Sequence, residues 1–309
     1  MKNLWISCLL VAFQTSLMPL YGLTMQTDST GAEMAFIADT QAPMWIEAVF
    51  LRRNNNARAT AAIFTDLVAR KPKTLYWLGD IVALGYKAGT WLMIDQFLAE
   101  CRKESIDVHA LLGNHDVMGR PNRGMRNFQR RFPEHTPTGY THVTDSVAVI
   151  MLNSNFNVLS PTDQAQQQVW YGTALTTLDN DPAIKSIIVT CHHAPYTNSR
   201  IVSSSKNVQQ RFVPLYLKSR KAKLFITGHA HAFERFKVDG KDFLVIGGGG
   251  GLTQPLSTSP GRLADEATEY KPHFHYLTVR RSGEQLQVTS HRLKTDLSGF
   301  EDGYTFVVQ

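Results

Sequence analysis

The chain has 309 residues, 43% of them hydrophobic and 19% charged, the composition of an ordinary globular protein large enough for one sizeable domain or two small ones. Thirty-two Lys and Arg against 26 Asp and Glu leave a formal charge of +6, which favours anionic partners such as phosphate esters or an acidic cell surface but is too small an excess to mark a nucleic-acid binder. With three cysteines in all, the chain is not a disulfide framework.

The N-terminal stretch MKNLWISCLLVAFQTSLMPLYGLTMQ carries one lysine, an apolar run from Leu4 to about Leu17, and no further charge until Asp28. That is the shape of a secretory signal over residues 1–24, cleaved near Gly22, and it places the mature chain, 25–309, in the periplasm or outside the cell. The competing reading, an uncleaved anchor, is weakened by the Gln, Ser, Thr and Pro residues in this stretch, so no stable membrane span is expected after cleavage. Cys8 leaves with the signal. Cys101 and Cys191 remain, and the sequence alone does not show whether they pair.

From about residue 30 onward the chain reads as one domain in which short apolar runs alternate with segments of helical spacing. EMAFIAD (33–39) precedes a helical segment from Met44 to Arg70; TLYWLGD (74–80) precedes one from Thr90 to Lys103; VHALLGNHD (108–116) and VAVIMLNSN (147–155) precede one from Asp163 to Leu178. SIIVTCHH (186–193) is followed by a helical segment from Val208 to Lys221, then by KLFITGHAH (223–231) and DFLVIGGGG (242–250). The pattern predicts an α/β sheet protein, in which ligands gather beyond the carboxyl ends of the strands. HYLTVRR and QLQVTSHRL in the tail predict further strands, antiparallel, closing a second sheet.

Most of the apolar runs stop on Asp, Asn or His. Together the run ends supply Asp39, Asp80, Asn114, His115, Asp116, His192, His193, His229 and His231. Singly, an Asp at a strand end reads as a helix N-cap and GNHD as a turn. As a set, two carboxylates, an amide and several imidazoles are mixed O/N donors suited to Zn, Mn or Fe and unsuited to thiolate chemistry. There are more of them than one tetrahedral ion needs, whereas two ions sharing a bridging carboxylate would use nearly all.

The ordered blocks Asp39-x-Gln41, Gly79-Asp80, Gly113-Asn114-His115-Asp116, His192-His193-x-Pro195 and Gly228-His229-x-His231 resemble the calcineurin-like metallophosphoesterase superfamily, and GHAHAFER is similar to the purple acid phosphatase form of the last block. The resemblance runs over roughly residues 33–236. It implies a four-layer αββα sandwich of two mixed β-sheets flanked by helices. It also implies two divalent or trivalent metal ions, Fe, Mn or Zn. Asp39 and His231 would hold the first, Asn114, His192 and His229 the second, and Asp80 would bridge them. His193 stays open as the alternative to His192. The resemblance further implies that His115 meets the phosphoryl group and protonates the leaving oxygen. Asp116, next in sequence, is read as orienting the His115 imidazole, and Asn114, His115, His193 and Tyr196 are the expected substrate contacts.

Two positions depart from the family pattern. Ala83 stands where purple acid phosphatases carry the tyrosine three residues after the bridging Asp, so a tyrosinate-bound iron is not expected. Gln41 stands where many relatives have His, either as a ligand through its carbonyl oxygen or as a hydrogen-bond partner of metal-bound water. Cys191 adjoins His192 but reads as a buried structural thiol. Arg120 and Arg123, after GNHD, are the basic residues best placed to meet a substrate anion. Glycines 247–251 lack the Gly-Lys-Ser/Thr ending of a phosphate loop and are read as letting backbone pass close to the site, while His273 and His275 read as structural.

The expected reaction follows. A metal lowers the pKa of its bound water from 15.7 toward about 7, and the hydroxide attacks phosphorus in line. The resemblance implies a binuclear-metal hydrolase of phosphate esters, acid-phosphatase-like on monoesters, and the signal-shaped N-terminus makes it an exported one. Phosphodiester or nucleotide pyrophosphate hydrolysis is the near alternative, and a non-catalytic envelope-binding relative the alternative of another class. The partner is a phosphorylated small molecule or nucleotide, with no specific nucleic acid.

Overall fold

A computed structural model describes residues 31–45, 47–51 and 55–309, so the proposed signal over 1–24 lies outside the described residues. The elements in chain order are β1 (Met34–Ile37), α1 (Glu47–Phe50), α2 (Asn56–Arg70), β2 (Thr74–Trp77), α3 (Leu92–Lys103), β3 (Asp107–Ala110), α4 (Asn114–Val117) and α5 (Pro121–Gln129). Then come β4 (Tyr140–Thr144), β5 (Val147–Met151), α6 (Pro161–Asn180), β6 (Ser186–Cys191), α7 (Lys206–Arg211), α8 (Val213–Lys218) and β7 (Ala222–Thr227). β8 (Phe233–Val238), β9 (Lys241–Ile246), β10 (His275–Ser282), β11 (Gln285–Leu293) and β12 (Phe300–Val308) complete the chain.

The strands form two six-stranded mixed sheets, in the orders β12-β11-β10-β1-β2-β3 and β4-β5-β6-β7-β9-β8. In the first, β1, β2 and β3 are parallel and β10 joins β1 antiparallel. In the second, β5, β6, β7 and β9 are parallel, with β4 and β8 antiparallel at the edges.

Alternation along the strands builds three cores. Met34 and Phe36 of β1 face Val147 and Val149 of β5, Ile188 of β6 and Leu224 of β7 in the core between the sheets. Ala35 and Ile37 face the other way, onto Ala59, Ile63 and Leu67 of α2, whose i, i+4, i+8 spacing lays one helical stripe on the sheet. Ile187 and Val189 of β6 likewise meet Tyr171 and Leu175 of α6 and Phe212 before α8. Helices outside, two sheets inside: this is the expected four-layer αββα sandwich. Among the described residues, no helix is long and apolar enough to cross a membrane.

Several expectations need correction. The tail strands do not close the second sheet. β10, β11 and β12 extend the first sheet from the free side of β1, and the second is completed by β4 and β8, whose more polar patterns hide them in sequence. β8 and β9 form a hairpin through Asp239 and Gly240, both at positive φ (48° and 80°), the Asp-Gly tight turn of paired strands. The segment from Met44 to Arg70 is two helices rather than one. The segment from Val208 breaks at Phe212, because Pro214 in the first turn of α8 has no N–H to continue α7. Cys101 and Cys191 are free and buried in different cores, which settles their pairing.

Phe36 tests the inter-sheet core most directly, since it stacks on Tyr76 with ring centroids 4.9 Å apart. Phe36→Ala should cost about 3–5 kcal/mol of unfolding free energy in a denaturant titration. A cost below about 1 kcal/mol would mean that this core is not packed as described.

Candidate metal centre

The carboxyl ends of β1, β2 and β3 and those of β6 and β7 open toward the same edge of the sandwich, and the polar run-ends converge there. Backbone bonds lock the loops together: Asp39 N–H donates to the Gly79 carbonyl (3.1 Å), Gln41 N–H to the Asp80 carbonyl (3.1 Å) and Gly228 N–H to the His192 carbonyl (3.0 Å). Asp39, Asp80 and His229 all sit at positive φ (60°, 49° and 69°). Such backbone costs about 1–3 kcal/mol per residue and persists where the surrounding structure holds it.

Gly79 enters the same turn at φ 85°, where a Cβ would strike the Gly113 backbone and lie 2.9 Å from His192 Nδ1. Gly228 has ordinary φ, but a Cβ there would collide with the Asp39 carboxylate. That is the local reason for glycine ahead of the His-x-His pair.

Two groups of donors share Asp80. Asp80, His192 and His229 form one, Asp39, Asp80 and His231 the other, and within each group the potential ligand atoms lie within 4.8 Å of one another. Asp80 Oδ2 is 3.2 Å from His192 Nε2, which is 3.1 Å from Asn114 Oδ1. Asp39 Oδ1 is 3.4 Å from His231 Nε2. Donors held about 2.0–2.1 Å from one tetrahedral ion stand about 3.3 Å apart, so these spacings fit metal ligation.

The imidazoles are aimed by their other nitrogens. His192 Nδ1 bonds the Leu78 carbonyl (2.9 Å) and His231 Nδ1 the Leu252 carbonyl (2.8 Å), which turns both Nε2 atoms toward the carboxylates. Gln41 satisfies its surroundings when its amide nitrogen donates to the Asp80 and Asp39 backbone carbonyls (3.0 and 3.2 Å) and its oxygen lies 3.2 Å from His231 Nε2. The oxygen then belongs with the Asp39 and His231 donors.

Burial opposes charge throughout the cluster, and the partners decide where it persists. Burial lowers the pKa of His192, but the adjacent Asp80 outweighs it and raises it to about 9. Burial also opposes ionisation of Asp80, yet His192 and His115 hold it well below the carboxylate range. His229 is pushed well below its usual value by burial and by the imidazoles of His193 and His192, which keeps it neutral, the form that ligates.

The remaining expected residues divide. His115 N–H donates to Asp80 Oδ1 (2.8 Å), and its ring bonds the Ala83 carbonyl through Nδ1 (3.2 Å), with Nε2 3.9 Å from Asp80 and 3.8 Å from Glu47. Asp116 does not perform the expected orientation of His115. Its oxygens accept from the N–H groups of Ile81 (3.1 Å), Val82 (3.2 Å) and Gly113 (2.9 Å), because the α4 turn points the carboxylate inward to fasten the two loops. Besides Asp80, the carboxylate near His115 Nε2 is that of Glu47, which lies in none of the sequence blocks.

His193 lies beside the cluster, its Nδ1 2.9 Å from Ser154 Oγ and its ring 4.5 Å from that of His229. Ser154, at the end of β5, was visible in sequence only as part of a polar run-end. Tyr196 is not brought to the ligands: it packs edge-on against Phe243 (5.0 Å) and Phe236 (6.4 Å) at the rim of the helix-facing core. Arg120 lies over the Tyr86 ring at 5.5 Å, and Arg123 is on the exposed face of α5. The glycine run does pass close: Gly251 N–H donates to the Asp39 carbonyl (2.8 Å) and Gly249 N–H to that of Ala38 (2.9 Å). Cys191 is buried, which raises its thiol pKa, and it donates to the His193 carbonyl at 3.4 Å.

Residues 33–233 match the family model of calcineurin-like phosphoesterases. The match covers more than half of the chain, and the chain belongs to that family of dimetal-dependent phosphoesterases. No curated protein matches it in sequence. Among solved structures the fold is similar to that of the purple acid phosphatase PPD1 from yellow lupin (Lupinus luteus), at 14% identity and a TM-score of 0.64, over 90% of this chain and 54% of that one. The chain thus spans about half the length of the lupin enzyme. GAP50, described as the anchor in the inner membrane complex of Plasmodium, superposes with a TM-score of 0.65 at 13% identity, over 90% of this chain and 88% of that one. A dimetal phosphatase from Danio rerio gives 0.55 at 13% identity, over 90% and 98%.

The neighbouring histidines separate by substitution. His192→Ala should remove at least one bound metal per chain, and His193→Ala should leave the metal count unchanged by elemental analysis. The reverse pattern would move the ligand to His193.

Proposed function

We propose that this chain is an exported two-metal phosphoesterase acting first on phosphate monoesters of small molecules. The observation that carries the reading is the sharing of Asp80 between two groups of donors, with His115 held against the same carboxylate. Asp39, Gln41 and His231 would hold one ion, Asn114, His192 and His229 the other, and Asp80 both. Bound there, the ions would supply Lewis acidity toward phosphoryl oxygens and a water acidified toward neutral pH.

The protein's own groups do the rest. His115, fixed by Ala83 and facing Glu47, is placed to deliver a proton to a departing alkoxide. His193 is kept neutral, with its pKa lowered to about 3 by burial and by His192. Ser154 Oγ accepts from the His193 N–H (3.0 Å) and lies 2.9 Å from its Nδ1; in the tautomer where the hydroxyl donates to Nδ1, the ring proton sits on Nε2, a donor for a phosphoryl oxygen. Asn114 would meet the same oxygens. A thiolate route is disfavoured by the burial of Cys191.

The second reading, a non-catalytic binding relative, is favoured by one neighbour's description as an anchor. Turnover separates the two. Metal-reconstituted protein supplied with Mn, Zn or Fe should hydrolyse p-nitrophenyl phosphate faster than bis(p-nitrophenyl) phosphate. Faster diester turnover would assign a diesterase, and no turnover of either with two metals bound would leave the binding reading. His115→Gln should retain both metals and lose about 10²–10⁴-fold in turnover on esters with poor leaving groups. An unchanged rate would remove His115 from the chemistry.

A further inference from the structure

A second convergence of imidazoles and carboxylate lies at the open side of the sandwich, where β3 edges the first sheet and β4 the second. Along β3, Val108, Ala110 and Leu112 face the helix-side core, so the alternate residues Asp107, His109 and Leu111 face the opposite sheet. Along β4, Tyr140, His142 and Thr144 face back. Tyr140 Oη donates to the Ala110 carbonyl (2.8 Å), and Thr144 Oγ1 lies 2.8 Å from Thr74 Oγ1. Asp107 pairs with Thr74 at the start of β2, the end of the strand away from Asp80.

We propose that Asp107, His109 and His142 form a separate site for a divalent transition-metal ion of the zinc type, which clips the edge strands of the two sheets together. Asp107 Oδ2 stands 3.0 Å from His109 Nε2 and 3.3 Å from His142 Nε2, and all three atoms lie within 4.8 Å of one another. These separations match the roughly 3.3 Å between ligands of one tetrahedral zinc. Two imidazoles and one carboxylate are also a donor set that such an ion takes, with the remaining position left to water.

The outer nitrogens of both rings are already committed. His109 Nδ1 lies 3.1 Å from Glu134 Oε1, the carboxylate–histidine–metal arrangement that fixes a ligand tautomer, and His142 Nδ1 lies 2.9 Å from Tyr76 Oη. Both Nε2 atoms are thereby aimed at one oxygen. The rings stack with centroids 3.7 Å apart at 30°, too close for both to be cationic without repulsion. Burial disfavours charge on either ring. On His109 the bonds to Glu134 and Asp107 outweigh it and raise the pKa, whereas on His142 burial and the neighbouring His109 lower it. The Asp107 side chain is 56% exposed against 12% for His109 and 25% for His142, which leaves the carboxylate side as the entry path.

The site is independent of the reaction proposed above, and zinc counting separates the two. Untagged protein is stripped with chelator, equilibrated with micromolar free zinc, gel-filtered and analysed by plasma mass spectrometry. Asp107→Asn and His142→Gln should each hold one zinc fewer than the unsubstituted chain. Asp80→Ala, which disrupts the centre at the other strand ends, should keep that zinc and lose it when Asp107→Asn is added. Zinc should also raise the melting temperature of Asp80→Ala but not that of Asp80→Ala/Asp107→Asn. Equal zinc in the unsubstituted chain and in Asp107→Asn, no zinc on Asp80→Ala, or equal melting shifts in its two forms would each overturn the site and leave the cluster as a hydrogen-bonded seam.

Discussion

The Asp80 carboxylate lies between donors from both halves of the sandwich. His192, from the end of β6 in the second sheet, approaches one oxygen at 3.2 Å, the His115 N–H donates to the other at 2.8 Å, and Asp39 and His231 complete a second group around the same side chain. An ionised carboxylate so deeply buried is costly unless cations or hydrogen bonds surround it. Much of the local backbone serves that requirement: the left-handed turn at Gly79 and Asp80, and the loops whose N–H groups are fastened by Asp116.

The four-layer packing explains why these groups meet. Parallel strands in each sheet end at one edge, and the core between the sheets holds the two sets of loops at a fixed spacing. Three of the imidazoles are then set by backbone carbonyls: those of Leu78 and Ala83, both in the loop after β2, for His192 and His115, and that of Leu252, after β9, for His231. A cluster built this way takes its precision from the scaffold, because its donor atoms sit at strand ends rather than on long free loops.

The cluster of carboxylates and imidazoles was legible in the sequence, because the strands that carry it are strongly apolar and stop on polar side chains. The periodicity of EMAFIAD, TLYWLGD and KLFITGHAH marked β1, β2 and β7, and their terminal residues marked the site. Partners acting through geometry left no such mark. Glu47 reaches His115 from a short helix with no motif, and Asp116, adjacent in sequence to His115, turns away from it because three backbone N–H groups are nearer. Edge strands β4 and β8 were missed for a related reason: half-polar strands lack the continuous apolar signal of buried parallel ones. The sequence marks β10 and β11 as strands but not β12 and not the sheet they join, since pairing partners are not encoded in a strand's own periodicity.

The central claim is that Asp80 joins two metal positions. Anomalous diffraction from crystals of the metal-reconstituted protein, recorded on either side of the metal absorption edge, tests it directly. The account predicts two peaks flanking the Asp80 carboxylate, one against Asp39 and His231 and the other against Asn114, His192 and His229. A single peak, or two peaks of which only one touches Asp80, would contradict it.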